Sequence, residues 1–241
     1  MGIMTLKVIA YARNGHTDKF GIPRQSREES PILTRIVFEP EYRVKEALRG
    51  IEGSSHLWLV WGFSELCSLT ADAVGPSNDC KTADAVGLSW SPTVRPPRLG
   101  GNKRMGVFAT RSPYRPNPIG LSSVRLVEVT PEGDLIVSGA DVLDGTPIYD
   151  IKPYISYSDC IEGARCGYAS EPAGGKVKVV IPDELMAKVP KDKAEALVGV
   201  LSQDPRPAYQ DNPQRIYGFG FAGLEIHFRV EGDVLYVCGV S

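Results

Sequence analysis

The sequence predicts a mainly β protein, with a barrel or sandwich in its first two thirds and a smaller α+β part at its C-terminal end. Short apolar segments rich in β-branched and aromatic residues predict strands at residues 6–11, 32–38, 57–63, 105–109, 124–129 and 135–138. The chain also has 25 Gly and 19 Pro, a heavy load of turn formers between these strands. Short strands separated in this way are typical of a barrel or a sandwich.

The pattern changes after about residue 155, so we expect one domain over residues 1–155 and another over residues 156–241. A strand is predicted at 177–181. Two more are predicted at 224–230 and 234–237, on either side of a Glu-Gly-Asp hairpin signal. The second domain is therefore expected to contain a small sheet.

Helices are predicted between these strands. Asp183 is a favourable N-cap for a first helix, and Pro190 should interrupt that helix or begin the next one. Apolar residues then recur at the spacing of one helix face, at Ala194, Leu197, Val198 and Leu201.

The composition is that of an ordinary globular protein. Of the 241 residues, 42% are hydrophobic and 23% are charged, and the formal net charge is -2. No apolar run reaches the roughly 18 residues that a membrane span needs, and the N-terminus lacks the features of a secretory signal. The five cysteines are odd in number and loosely spaced, which predicts free thiols in the reducing cytoplasm. The three histidines lie far apart and no CxxC or HExxH occurs, so we expect no metal site.

One short segment is duplicated. The hexapeptide TADAVG occurs at residues 70–75 and again at residues 82–87. A surface-loop insertion explains this, because added loop length costs little free energy. A lid over a pocket is the alternative interpretation.

Charge is segregated between residues 93 and 127. This stretch has no Asp or Glu, and its cations are Arg95, Arg98, Lys103, Arg104, Arg111, Arg115 and Arg125. Such a segment attracts phosphate backbones by neutralising their charge and releasing counterions. Phe108 and Tyr114 could add a face on which an unpaired base stacks. The alternative is a solvated basic surface without a ligand.

Two further segments combine turn chemistry with reactive groups. Residues 141–146 contain Asp144-Gly145-Thr146, a turn that exposes backbone groups able to read an adenine edge or a ribose. Residues 203–209 hold Arg206 stiffly between two prolines. By contrast, no GxGxxG follows a predicted strand, and no GxxxxGK[ST] or GxSxG motif occurs, which disfavours nucleotide chemistry on a Rossmann or P-loop fold.

Several blocks of the sequence form an ordered set: Pro23-Arg24-Gln25, residues 49–58, the RPPRLGGN run at 95–102, GVFATRS at 106–112, RPNPIGLS at 115–122, and residues 141–151 and 204–209. Together these blocks resemble the TrmO/YaeB (TsaA-like) family of tRNA methyltransferases. Blocks of this length in the same order over nearly the whole chain make chance agreement very unlikely. The resemblance implies a single-sheeted β-barrel that binds S-adenosylmethionine, followed by the smaller α+β domain.

The resemblance also implies a reaction and a partner. Members of the family methylate the N6 atom of threonylcarbamoyladenosine, which lies next to the anticodon of tRNA at position 37, and form homodimers. By similarity, the S-adenosylmethionine site comprises Pro23, Arg24, Gln25, Ser64, Glu65, Arg111, Leu121, Asp141, Val142, Leu143, Asp144, Gly145 and Thr146. The tRNA is expected to contact Arg95, Arg98, Lys103, Arg104, Arg115 and Arg206.

A base is expected to help the reaction, because the target nitrogen must lose a proton. The candidates are Asp144, Asp204 and Tyr209, and His56 is a weaker one that is better explained as a structural residue. Arg111 and Arg115 are expected to bind tRNA phosphates or the threonyl carboxylate. The alternative function is a non-catalytic barrel that binds S-adenosylmethionine or RNA.

Overall fold

The computed structural model describes residues 6–14, 33–63, 90–96, 103–169, 177–191, 193–202, 204–206 and 212–241. The duplicated hexapeptides lie outside these residues. The strands of the first part of the chain are β1 Ala10–Arg13, β2 Leu33–Phe38, β3 His56–Gly62, β4 Thr93–Val94, β5 Met105–Gly106, β6 Ile119–Val129, β7 Leu135–Ser138 and β8 Pro147–Pro153.

Six of these strands close into a barrel. Their order is β1-β2-β7-β6-β3-β8, and every neighbouring pair is antiparallel. Strand β1 closes the barrel because it pairs with β2 on one side and with β8 on the other. The predicted single-sheeted barrel is thus confirmed, and the sandwich alternative is excluded. Strands β4 and β5 form a separate two-stranded ribbon.

Side chains alternate between the two faces of each strand, and those on the inner face fill the barrel interior. Its core includes Ile36, Leu57, Leu59, Leu135 and Ile148, which are fully buried.

One carboxylate is buried at the edge of this core. The side chain of Asp134 accepts hydrogen bonds from Arg35 Nε at 3.0 Å and from the backbone N of Phe38 at 3.3 Å, and it forms an ion pair with Arg43 at 3.3 Å. Pairing of this kind offsets the cost of removing a charge from water. Asp134, which directly precedes β7, therefore joins the start of this strand to its neighbour β2.

The C-terminal part combines helices with a mixed sheet. Its elements are α1 Ser156–Asp159, β9 Lys178–Val180, α2 Asp183–Met186, α3 Ala194–Ser202, β10 Tyr217–Phe221, β11 Leu224–Glu231 and β12 Val234–Val240. The strand order is β10-β11-β12-β9, with β9 parallel to β12. The predicted hairpin is confirmed, and Gly232 in its turn has a φ of 61°.

A second core forms between this sheet and α3. Leu197 and Leu201 are fully buried against sheet residues such as Phe219, Ile226 and Leu235. This cluster has no member in common with the barrel core. The domain boundary after residue 155 remains a prediction.

Several local predictions were wrong or incomplete. Asp183 is the first residue of α2 rather than its cap, since the N-cap is Pro182 and no side chain caps this helix. On α3 the buried face includes Ala196 and Val200, whereas Val198 is 38% exposed. Strands β4, β8 and β10 were not predicted, and the strand expected at 105–109 ends at Gly106.

The packing of Trp61 against β6 generates a test of the barrel core. Gly120 pairs with Trp61, and a Cβ at position 120 would overlap the indole ring at Cε2. Gly120→Ala should therefore lower the free energy of unfolding by about 1–3 kcal/mol, measured by urea denaturation. Gly106→Ala is the matched control, because a Cβ there meets nothing within 4 Å. Equal stabilities of the two variants would contradict this packing.

Candidate functional site

The turn at residues 141–146 is fastened to the end of β1. The backbone N of Ala12 donates to Thr146 O at 2.9 Å, and the N of Gly145 donates to Ala12 O at 2.8 Å. The side-chain amide of Asn14 donates through Nδ2 to Val142 O at 3.0 Å and to Thr34 Oγ1 at 3.2 Å. These bonds continue the β1–β8 pairing beyond its two registered residue pairs, so the turn is part of the barrel closure.

We call the β1–β8 closure, together with the turn at 141–146, the seam of the barrel. Asp144 makes the most direct contact across it. Its Oδ1 accepts a hydrogen bond from the backbone N of Asn14 at 2.8 Å, while Oδ2 lies 3.4 Å from Arg13 Nη1. The Asp144 side chain is 36% exposed. The next residue, Gly145, has a φ of 78°, a conformation that favours glycine and that aims the turn back toward β1. One carboxylate oxygen is thus anchored, and the other is more weakly engaged.

A polar chain leads from the barrel interior to the same turn. Trp61 Nε1 donates to Ser122 Oγ at 2.8 Å, and Ser122 in turn donates to the carboxylate of Asp141. Ser122 is fully buried and Trp61 nearly so. The first residue of the turn is therefore fixed from inside the barrel. Sequence reasoning missed Asn14, Trp61 and Ser122, and only the Asn14-Gly15 turn signal could have indicated the first of them.

Several predicted cofactor residues lie outside the described residues: Pro23, Arg24, Gln25, Ser64 and Glu65. The residues that border both segments are described, however. Asn14, the last described residue before the first segment, binds the turn. Phe63, the last before the second, has its ring 4.4 Å from that of Trp61. Asn14 and Phe63 therefore both lie at this end of the barrel.

The remaining predicted cofactor residues are placed differently. Val142, Leu143 and Thr146 lie in the turn, and Val142 and Thr146 are buried. Leu121 lies on the outer face of β6 and is 56% exposed. Its neighbour Ser122 lies on the inner face and contacts the turn through Asp141, so Leu121 points to the opposite side of the strand.

The basic stretch forms a ribbon and an irregular loop. Arg95, Lys103 and Arg104 are exposed on or beside the β4–β5 ribbon, and Arg104 Nε donates to Thr93 Oγ at 2.9 Å. Phe108, on the 3-10 turn Val107–Ala109, has its ring 5.6 Å from Trp90. Arg98 lies outside the described residues.

Two arginines of the following loop have different environments. Arg115 donates to three backbone carbonyls: Ser112 O at 2.9 Å, Val107 O at 3.2 Å and Thr110 O at 2.5 Å. Its guanidinium therefore fastens the loop together. Arg111 is exposed and makes no hydrogen bond or ion pair in the described part of the chain. Arg111 is thus the better placed of the two to bind an external anion.

The C-terminal candidates form a local pair. Arg206 donates through Nε and Nη2 to the two carboxylate oxygens of Asp204, each at 2.8 Å. Asp204 has a φ of 50°, a left-handed conformation that is uncommon outside glycine. Both carboxylate oxygens are engaged in charge-assisted bonds, which makes Asp204 a weaker candidate for proton removal than Asp144. Tyr209 lies outside the described residues.

His56 lies at the opposite end of β3 from Phe63. It contacts Ser55 Oγ at 2.9 Å, and with Ser123, Arg125 and Tyr154 it lines an open groove of about 290 Å³. Partial burial raises the pKa of Tyr154, as do the neighbouring Cys160 and Asp159.

Asp159 links α1 to β3 beside this groove. Hydrogen bonds from the backbone of Ile155 and from the Trp58 indole lower the pKa of its carboxyl group. These contacts indicate that Asp159 and His56 have structural roles at this end of the barrel.

Two absences can be stated for the described ranges. They contain no group of three His, Cys, Asp or Glu side chains arranged to hold a metal ion. They also contain no helix with the length and apolar character to cross a membrane.

Fold and site together define a class of protein: a closed antiparallel barrel with a fastened turn at its seam, a basic ribbon and loop, and a C-terminal mixed sheet. The chain belongs to the tRNA-methyltransferase O family. The model of that family's N-terminal domain matches residues 11–160, and the TrmO C-terminal domain matches residues 175–241. The family resemblance found in the sequence is confirmed.

Individual relatives agree with this assignment. The chain is 48% identical over 149 residues to the tRNA (adenine(37)-N6)-methyltransferase of Eikenella corrodens, covering 61% of this chain and 84% of that protein. It is 39% identical over 242 residues to the putative S-adenosylmethionine-dependent methyltransferase RcsF of Pseudomonas aeruginosa, covering 97% and 96%. The crystal structure of TrmO from Pseudomonas aeruginosa superposes with a TM-score of 0.77 at 30% identity, covering 100% and 99%.

The contrast between Arg115 and Arg111 is testable by hydrogen–deuterium exchange over residues 107–118. Arg115→Ala removes three hydrogen bonds to the loop, each worth about 1 kcal/mol, so its amides should exchange roughly tenfold faster or more. Arg111→Ala is the control and should leave the exchange unchanged. Faster exchange in both variants, or in neither, would contradict the assignment of Arg115 as the residue that fastens the loop.

Proposed function

We propose that this protein transfers a methyl group from S-adenosylmethionine to the N6 atom of threonylcarbamoyladenosine at position 37 of tRNA. The observation that carries the proposal is the convergence at the barrel seam. The turn at 141–146 contacts the end of β1 through Asn14, and it contacts β3 through Ser122 and Trp61. The residues expected from family resemblance to bind the cofactor follow these two strands in the sequence. Relatives that bear the name tRNA (adenine(37)-N6)-methyltransferase support the reaction.

The chemistry of the turn suits S-adenosylmethionine. The cofactor supplies an activated methyl group on a positively charged sulfur. The carboxylates of Asp141 and Asp144 lie three residues apart on the same fastened turn, and Asp144 remains 36% exposed. Negative charge of this kind favours a cation nearby. Backbone groups of the turn offer the hydrogen bonds that adenine and ribose need.

Methyl transfer requires alignment more than activation. A new N–C bond forms as the C–S bond breaks, and the N6 proton must leave. The protein contributes by holding the reacting groups in line. The hydrogen bonds from Asn14 to Asp144 and Val142 make this possible because they limit the motion of the turn. The residues Pro23, Arg24, Gln25, Ser64, Glu65, Arg111 and Leu121 complete the proposed cofactor site.

Asp144 is the proposed base. Its Oδ1 is held by the backbone N of Asn14, which orients the group, and Oδ2 is the oxygen that would take the proton. A positioned base of this kind contributes about 10²- to 10⁴-fold in rate. Asp204 and Tyr209 remain secondary candidates, and the pairing of Asp204 with Arg206 argues against it.

The tRNA is proposed to lie on the basic surface next to the site. Arg95, Arg98, Lys103, Arg104, Arg115 and Arg206 were predicted to contact RNA, and three of these are exposed on or beside the ribbon. The uncommitted guanidinium of Arg111 fits the threonyl carboxylate or a phosphate. We further propose that the protein is cytoplasmic and forms a homodimer, as the family resemblance implies.

The reaction is tested with tRNA that already carries threonylcarbamoyladenosine. Purified protein, S-adenosylmethionine and this tRNA should yield one added methyl group on that nucleoside, detected by mass spectrometry after digestion. The same tRNA without the modification is the control and should gain none. Cofactor binding without any methyl transfer would instead support a non-catalytic barrel that binds S-adenosylmethionine or RNA.

The role of Asp144 is tested by two substitutions. Asp144→Asn keeps an oxygen that can accept the Asn14 hydrogen bond but cannot take a proton. It should still bind S-adenosylmethionine, less tightly because one exposed negative charge is lost, and at saturating cofactor its kcat should be lower by roughly 10²- to 10⁴-fold. Asp144→Ala also loses the anchor and should weaken cofactor binding. An Asp144→Asn enzyme with wild-type kcat would rule out Asp144 as the base.

A further inference from the structure

An aromatic pair stands out on the surface beside the basic ribbon. The rings of Trp90 and Phe108 lie 5.6 Å apart with their planes tilted by 38°, and Phe108 is 73% exposed. An exposed aromatic surface is a feature of binding sites.

The exposure of Phe108 is imposed by the local structure. The neighbouring Val107 is 1% exposed, and its backbone N donates to Pro92 O at 3.0 Å. Thr110 closes the 3-10 turn by donating to Val107 O from its backbone N and from its hydroxyl, and Arg115 donates to the same carbonyl. With Val107 inside and the turn closed on both sides, Phe108 must face outward. The ring is therefore presented on a rigid support.

Positive charge lies on the ribbon next to this pair. Arg95 and Lys103 are exposed, and Arg104 is oriented by its bond to Thr93 on the same ribbon. No Asp or Glu occurs between residues 93 and 127. An aromatic face beside exposed cations fits a nucleobase with its flanking phosphates better than an apolar peptide, which would gain nothing from the cations.

We infer that Trp90 and Phe108 form a stacking site for an unpaired base of the tRNA anticodon loop, with Arg95, Lys103 and Arg104 contacting the adjoining phosphates. This inference rests on the proposed function. The site is connected to the seam, because the loop fastened by Arg115 leads into β6, whose Ser122 binds Asp141. Stacking one loop base here opens the loop and presents its neighbour to the turn.

The test is binding of an anticodon stem-loop RNA, measured by fluorescence anisotropy without any turnover. Phe108→Ala should weaken binding roughly 5- to 100-fold, the loss of one stacked base, and Phe108→Tyr should restore it. Tyr157→Ala is the matched control, because Tyr157 is 91% exposed on α1, outside the basic segment, and its removal should change nothing. S-adenosylmethionine affinity should be the same in all four proteins.

Two further measurements separate stacking from charge. A fully paired RNA hairpin of equal length offers no loop base, so wild type and Phe108→Ala should bind it equally. Tryptophan fluorescence should be quenched by the stem-loop in the wild type and much less in Trp90→Phe. Wild-type affinity of Phe108→Ala for the stem-loop would overturn the stacking site while leaving the proposed methyl transfer intact. A wild-type protein that binds no stem-loop would also overturn the stacking site, whereas the methyl-transfer assay with modified tRNA decides the proposed function by itself.

Discussion

The closure of the barrel between β1 and β8 is the constraint on which the rest of the structure depends. Only two residue pairs are in register at this seam, Ala10 with Ile148 and Tyr11 with Pro147. The seam is extended by the bonds of Ala12 to the turn and by Asn14, whose backbone and amide hold Asp144 and Val142. A closed sheet leaves no exposed edge, so a short seam must be completed by groups outside the ladder.

The same seam explains where the site lies. A rigid barrel positions loops precisely, and the turn at 141–146 is fixed from two directions: by Asn14 across the seam and by the Trp61–Ser122–Asp141 chain from the interior. Arg115 does for the basic loop what Asn14 does for the turn, since it joins three carbonyls into one unit. The proposed binding surfaces are thus built on irregular backbone that side-chain hydrogen bonds make rigid.

The sequence pattern predicted the elements that have a clear period or turn signal. Strands β2, β3 and β7 and the C-terminal hairpin have branched or aromatic residues between turn formers, and the structure has them there. Strand β8 was missed because it begins and ends with proline and directly follows the Asp-Gly-Thr turn, which dominates the local pattern. Strand β10, with the sequence YGFGF, was missed because alternating glycines weaken a strand signal.

The sequence predicted the residue types of the candidate site but not the contacts between them. The contact between Asn14 and Asp144 joins residues 130 apart, and no period in the sequence encodes it. Arg115 belongs to a basic segment that indicates RNA, but its guanidinium points to backbone carbonyls, which only the folded loop determines. The Asp204–Arg206 pair is different. Arg206 lies between Pro205 and Pro207, two residues after Asp204, so the sequence alone predicted that this arginine is held stiffly.

The most direct test of this account is a titration of isotope-labelled protein with S-adenosylmethionine, followed by two-dimensional 1H–15N NMR. If the cofactor binds at the seam, the largest shifts should fall on the amides of Asn14, Gly145, Thr146 and Arg111. The hairpin turn at Gly232 should be unaffected. Shifts confined to the groove near His56 and Arg125, or to the C-terminal sheet, would contradict a cofactor site built on the barrel closure.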